Sequence, residues 1–244
     1  MNNIIDRIKY GTETIKDPIK NNEFSYGEII AERNVCDNCG ECMSVCPVNA
    51  IKINTITNAE HLVSVDYKKC IYCRNCVDIC PKSVLKMTSD YKMAQLELAG
   101  DKLREKIYKT FRRSLVLRVV DTGSCNACMS ELNALSNTFY DISRFGINVS
   151  PSPRHADGLV VTGPVTINMK EALEKTYHAM AEPKIVIAVG SCAYNGGVFK
   201  EGDGVYGTLN DILPVDLVIP GCPPSPQAII FGLLKIMDKI KKTD

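Results

Sequence analysis

From residue 115 onward, short uninterrupted apolar runs alternate with longer stretches in which apolar residues return every three or four positions. The runs at 115–120, 158–162, 185–189 and 217–219 predict strands, and the stretches at 128–139, 169–180 and 227–239 predict helices. Strand and helix taken in turn predict an α/β domain with a parallel sheet over 115–244. Ahead of it, residues 91–114 are charged, lack Pro and hold one Gly, which predicts a connector helix with Leu96, Leu98, Leu103 and Ile107 as an uneven packing stripe. Residues 34–90 carry a weaker pattern, a short helix near Val45 and another near Val77, each followed by a small strand at 50–53 and 84–87. Residues 1–33 are set apart as a leader whose opening stretch is polar throughout.

Composition narrows the class. With 45% hydrophobic and 23% charged residues in 244, the chain has the make-up of a folded globular protein. Its formal charge of +1, with no basic arm, argues against a nucleic-acid partner. No apolar run approaches the roughly 20 residues that span a bilayer, and the polar start has no signal-peptide core. These features predict a cytoplasmic chain. A reducing cytoplasm disfavours disulfides, so the 12 cysteines need another explanation.

Their spacing supplies one. Cys36, Cys39, Cys42 and Cys46, followed by Pro47, read C-x2-C-x2-C-x3-C-P, and Cys70, Cys73, Cys76, Cys80 and Pro81 repeat the run with every member displaced by the same interval. This is the bacterial ferredoxin run, in which three close thiolates bind one 4Fe–4S cube and the fourth ligates the other. The expected sets are Cys36, Cys39, Cys42 with Cys80, and Cys70, Cys73, Cys76 with Cys46. Zinc ribbons use two separated pairs instead, so a triplet plus Cys-Pro suits a cube. Residues 34–90 are therefore expected to form an α+β, ferredoxin-like two-cluster domain, stabilised largely by its clusters because its apolar core is thin.

The other four cysteines follow strands. Cys125 and Cys128 come after the first, Cys192 after the third and Cys222 after the fourth. Open parallel sheets bind ligands beyond the carboxyl ends of their strands, so the four thiols are expected to meet at one edge. Four convergent thiolates can hold zinc or a third cube, and spacing alone does not separate the two. Two neighbouring clusters favour iron, since a third centre extends an electron path. Glycines 123, 190 and 221 permit close backbone approach. Three sets of four then use every cysteine, leaving none for a nickel site. Gly202-Asp-Gly-Val-Tyr-Gly207 matches G-x-G-x-x-G but neither follows a strand directly nor opens a helix, so it predicts no dinucleotide site.

Residues 112–131 (RRSLVLRVVDTGSCNACMSE), 151–157 (PSPRHAD), 190–199 (GSCAYNGGVF) and 219–226 (IPGCPPSP) resemble the small subunit of membrane-bound, energy-converting NiFe hydrogenases. That group includes formate hydrogenlyase and is similar to the proximal-cluster subunit of respiratory complex I. The N-terminal part resembles the two-cluster ferredoxin subunit of the same complexes, so the chain looks like a fusion of neighbours. The C-terminal fold is then expected to be flavodoxin-like. The resemblance implies three 4Fe–4S clusters, the third on Cys125, Cys128, Cys192 and Cys222. It implies that Glu131, Arg154 and His155 lie near that cluster, as a proton relay or as groups tuning it; a Glu is also simply favoured near a helix start. Ala127 and Met129 depart from the family, which usually has Gly and often an acid there. The implied function is electron transfer between ferredoxin or a formate dehydrogenase module and the NiFe site of a partner large subunit. The chain alone would be inactive, held peripherally on the cytoplasmic face through membrane subunits. A complex I-like assembly without nickel and a non-redox metal scaffold are the competing expectations.

Overall fold

The computed structural model describes residues 3–20, 26–32, 36–57, 60–97 and 111–240. An opening helix α1 (Asn3–Tyr10) precedes the first strand, β1 (Ile29–Ala31). Next come α2 (Glu41–Ser44), a hairpin of β2 (Ile51–Thr57) and β3 (Glu60–Val65), α3 (Asn75–Ile79) and β4 (Leu85–Met87). β1 pairs antiparallel with β4, Ile29 opposite Met87, so the ferredoxin-like unit reaches back beyond residue 34, the expected start. Tyr67 ties that pair down: its hydroxyl donates to Ile29 O at 2.9 Å and accepts from Ile29 N at 3.2 Å. The small core around Ile29, Ala50, Ile51, Val63 and Leu85 includes the buried thiols Cys42, Cys70 and Cys76.

The repeat is written into the backbone as well as the cysteines. Asn38 and Tyr72 have φ 58° and 57°, Gly40 and Arg74 have 78° and 66°, and Asn49 and Ser83 both have 50°. Glycine and asparagine favour such turns, but Tyr72, Arg74 and Ser83 do not, so in the second repeat the left-handed turns come from the fold around the thiols and not from local preference.

The connector departs from expectation. Residues 95–96 form a strand, β5 (Gln95–Leu96), that pairs antiparallel with a strand of the C-terminal sheet, Leu96 opposite Leu217. The expected helix over 91–114 is therefore absent from 91–97, and 98–110 lie outside the described residues. The pairing wins because Leu96 covers the sheet edge and packs on its core.

The C-terminal domain contains β6 (Leu115–Asp121), α4 (Ala127–Ala134), β7 (Ile147–Val149), β8 (Gly158–Thr162), β9 (Val165–Thr166) and α5 (Ile167–Ala179). It continues with β10 (Ile185–Val189), α6 (Ser191–Asn195), β11 (Val205–Gly207), α7 (Leu209–Ile212), β12 (Leu217–Ile219) and α8 (Pro226–Ile236). One six-stranded sheet has the order β5-β12-β10-β8-β6-β7, parallel throughout except for β5. Numbered among themselves, the five parallel strands run 2-1-3-4-5.

Successive strand residues serve opposite faces, as the pleat requires. Leu117, Val160, Ile185, Ile187 and Leu217 pack with Ile229, Leu233 and Ile236 of α8, while Leu159, Val161, Val186 and Ala188 pack with Leu173 of α5 and with Leu209. Burying each such side chain contributes roughly 1.5–3 kcal/mol. The sheet is thus covered on both sides and leaves only its edges for chemistry. α8 starts at a capped terminus, Ser225 Oγ accepting from Ala228 N at 3.3 Å with Pro226 in the first turn. The helix expected over 128–139 stops at Ala134, and the chain turns so that Leu135 and Ile142 reach the core. No helix among the described residues is long and apolar enough to cross a membrane.

Candidate iron–sulfur centres

Cys36, Cys39, Cys42 and Cys80 line one small cavity with Ile53, Val63, Val84 and Leu85. Cys46, Cys70, Cys73 and Cys76 line a second with Ile29, Val48, Ala50 and Val65. Each cavity takes its fourth thiol from the other repeat. The turn after each Cys-Pro is fixed by the cysteine itself. Ala50 N donates to Cys46 Sγ at 3.2 Å and Val84 N to Cys80 Sγ at 3.4 Å, at equivalent positions of the two repeats. Tyr72 N donates likewise to Cys70 Sγ at 3.4 Å.

The third group forms beyond the carboxyl ends of the parallel strands. Asp121, closing β6, shapes its first loop by accepting from Gly123 N at 2.9 Å and Ser124 N at 2.7 Å. Cys125 and Cys128 follow on that loop, Cys192 sits on α6 and Cys222 follows β12. Gly190, at φ 89°, lets Cys128 close in: a Cβ there would sit 2.6 Å from its sulfur. Gly197 does the same for Cys192 at 2.7 Å.

Three of the five C-x2-C segments, Cys39–Cys42, Cys73–Cys76 and Cys125–Cys128, share one turn. The residue after the first cysteine is left-handed and opens a helix bearing the second: Gly40 (φ 78°, ψ −2°), Arg74 (66°, −5°) and Asn126 (68°, −6°). Among the described residues no three or more His, Cys, Asp or Glu converge on a point where a single metal ion would sit. The thiols of the first two groups line cavities instead.

Electrostatics follow from packing thiols together. Burial pushes Cys70 up to about 12, with the Tyr72 N–H opposing it and repulsion from Cys76, Cys46 and Cys73 adding to it. Burial raises Cys42, helped by Cys36, Cys39 and Cys80. Cys128 is pushed up to about 12 by burial, then by Cys222 and Cys125. Cys192 and Cys222 share a hydrogen bond that raises the first and lowers the second to about 7. Thiolates crowded this way need a cationic centre, and metal binding supplies one by displacing their protons.

Glu131 on α4 adds to the charge felt by Cys128, and burial raises its own pKa. It lines a 680 Å³ cleft with Tyr72, Cys73, Tyr91, Tyr140, Cys222 and Gln227, between the second and third thiol groups. Arg154 and His155 are placed elsewhere. They lie on a turn (Pro153–His155) before β8, where Asp157 accepts from Val116 N at 2.8 Å near the start of β6. That is the amino end of the sheet. The third thiol group follows the carboxyl ends of the strands, a strand's length of roughly 15 Å from that end. The motif PSPRHAD by itself gives no direction along the sheet.

Sequence reasoning also missed the contacts that join the two domains. Ser191 Oγ donates to Cys70 O at 2.6 Å. Lys68 Nζ, held by Glu97 Oε1 of its own unit at 2.7 Å, lies 5.4 Å from the centre of the Tyr194 ring across the junction. Lys235 Nζ donates to Ala94 O at 2.7 Å.

Residues 125–236 match the family described as NADH ubiquinone oxidoreductase, 20 Kd subunit, and residues 28–98 match the 4Fe-4S dicluster domain. The probable membrane-bound hydrogenase subunit mbhJ of Pyrococcus furiosus is 41% identical over 156 residues, 64% of this chain and 91% of that protein. The chain belongs to the family of the NADH ubiquinone oxidoreductase 20 Kd subunit. Formate hydrogenlyase subunit 7 of Escherichia coli is 42% identical over 146 residues, 60% of this chain and 54% of its own length. An NADH-quinone oxidoreductase subunit of Carboxydothermus hydrogenoformans is 48% identical over 115 residues, 47% of this chain and 69% of its own. This chain carries its dicluster domain in the same polypeptide, ahead of the region that matches the family.

Proposed function

We propose that the chain is an electron-transfer subunit of a membrane-associated NiFe hydrogenase complex, holding three 4Fe–4S clusters and delivering electrons to, or taking them from, a nickel site on a partner large subunit. The observation that carries this reading is the gathering of twelve thiols into three sets of four, on one local turn used three times. Cys36, Cys39, Cys42 and Cys80 are assigned to the first cluster, Cys70, Cys73, Cys76 and Cys46 to the second, and Cys125, Cys128, Cys192 and Cys222 to the third. A bound 4Fe–4S cluster accepts and returns single electrons.

The residues fit that group. Every donor is a thiol, backbone N–H groups aim at three of the sulfurs, and two glycines clear space behind two more. Thiols set around a cavity suit a cube with one ligand per iron better than a tetrahedral zinc, whose ligands converge on a point. The 2-1-3-4-5 order of the parallel strands supports a flavodoxin-like sheet, with Cys125 and Cys128 following the strand at its switch point. The domains we assign are 1–27 as leader, 28–97 as the two-cluster unit ending in β5, and 115–244 as the third-cluster domain.

The chain itself binds and orients: it keeps the second and third thiol groups adjacent and leaves catalysis to a partner, since no thiol remains for nickel. We assign it a peripheral position on the cytoplasmic face, reached through membrane subunits, with ferredoxin or a formate dehydrogenase module as donor. The identity shared with the NADH-quinone oxidoreductase subunit supports a second reading, the same wire in a complex without nickel. Anaerobic purification from the native host with metal analysis decides between them. About twelve irons and twelve acid-labile sulfides per chain, with nickel in a co-purifying large subunit, is the expected result. Iron without nickel favours the second reading, and stoichiometric zinc removes both.

A further inference from the structure

The second and third thiol groups are joined by a hydrogen bond that neither group needs for ligation. Ser191 Oγ donates to the carbonyl oxygen of Cys70 at 2.6 Å, and Ser191 is only 1% exposed. Its own N–H donates to Gly221 O at 2.9 Å, which fixes the backbone of the β10–α6 turn. Gly221 O lies 3.3 Å from the same hydroxyl. A serine hydroxyl has one proton, and the shorter contact takes it. Cys70 is itself buried, so no bulk water competes at this junction.

Ser191 is peptide-bonded to Cys192, and the oxygen it grips belongs to Cys70. A continuous atom path therefore runs from Cys70 Sγ through its Cβ, Cα and carbonyl, across one hydrogen bond to Ser191 Oγ, and on through Ser191 to Cys192 Sγ. The path contains a single non-covalent step.

We propose that Ser191 is the bridge for electron passage between the second and third clusters, acting as a positioning residue and not as a ligand. The inference rests on the cluster assignment proposed above. In the step it would serve, one electron would pass from a reduced cluster held by Cys46, Cys70, Cys73 and Cys76 to an oxidised one held by Cys125, Cys128, Cys192 and Cys222; no bond in the protein would form or break and no proton would move. Electronic coupling falls less steeply along bonds and a short hydrogen bond than across a gap of the same length, so the hydroxyl sets the rate by completing the path.

The test uses the purified complex with its clusters in place. Ser191→Ala removes only Oγ, and Ser191→Thr keeps a hydroxyl at the same position. Rapid reduction at the ferredoxin end, followed by freeze-quench EPR, reads the arrival of electrons at the third cluster. Potentiometric EPR titration reads the potential of each cluster. The expected result is transfer slowed severalfold in Ser191→Ala at unchanged potentials and unchanged magnetic interaction between the clusters, with Ser191→Thr returned toward the parent rate. An unchanged rate in Ser191→Ala overturns the proposal. So does a loss of the third cluster or a shift in its potential large enough to account for the slowing, because Ser191 then shapes the site and does not bridge it. Fewer than three EPR-active clusters in the parent would instead count against the cluster assignment, and is read in the same titration.

Discussion

A Cβ on residue 190 would sit 2.6 Å from Cys128 Sγ. Gly190 also holds φ 89° with ψ 154°, a region essentially reserved for glycine. Gly190→Ala must therefore move either the β10–α6 turn or the sulfur, at a cost of about 1–3 kcal/mol. The variant is expected to lose the third cluster alone, with about eight of the twelve irons retained. Iron and sulfide analysis with EPR of the remaining signals checks it, and a full complement of twelve refutes it.

Cys80 shares a cavity with Cys36, Cys39 and Cys42 rather than with its sequence neighbour Cys76. Cys80→Ser should alter or remove the cluster on the earlier triplet and leave the cluster on Cys70, Cys73 and Cys76 intact. Cys46→Ser should do the reverse. EPR on the two variants compared side by side distinguishes them; identical spectra would break the crossed assignment.

Arg74 occupies a left-handed position that Gly40 fills in the first repeat. Its ion pair with Asp78, 3.7 Å and well exposed, contributes little. Arg74→Gly should be tolerated, whereas Arg74→Val places a β-branched residue at φ 66° and should be less stable than the glycine variant by about 1–2 kcal/mol. The temperature at which cluster absorbance bleaches gives the comparison. Equal bleaching temperatures would mean the turn is not strained.

Asp216 accepts the N–H of Val186 at 2.7 Å, and burial pushes its carboxyl up to about 6 despite that bond. The folded value lies above the unfolded one, so the native state holds the proton more tightly. The stability this group contributes is fully present below about pH 4 and is lost as pH rises through about 6. Asp216→Asn keeps an acceptor carbonyl and removes the charge. It should equal or exceed the parent in melting temperature at about pH 7 and show a flatter dependence between about pH 4 and 6. A variant less stable than the parent at neutral pH would contradict this.

The cysteines made most of the site legible because ligand spacing is a local property of the chain. Strands 158–162 and 185–189 coincide with β8 and β10 because every residue in them is buried, which leaves an unmixed apolar signal. The strand at 95–96 was illegible for the opposite reason: two residues carry no period. Arg154 and His155 show a different limit. Their motif is specific to a family, yet only the strand direction reveals that they precede β8 while the thiols lie beyond its far end. Ser191 is one hydroxyl beside a cysteine, and its partner stands 121 positions away. Nothing in a single sequence marks such a pair. Glu131 was placed by family likeness and does adjoin Cys128, but the cleft it lines is made by both domains together.

β5 gives the two-cluster unit a strand inside the other domain's sheet, paired with β12 just ahead of the Cys222 loop. A carrier on a tether would have to diffuse to its acceptor on every cycle, and its throughput would fall in a viscous medium. Here the separation is set once, at folding. Transfer between centres held at these two sites should be indifferent to glycerol or crowding.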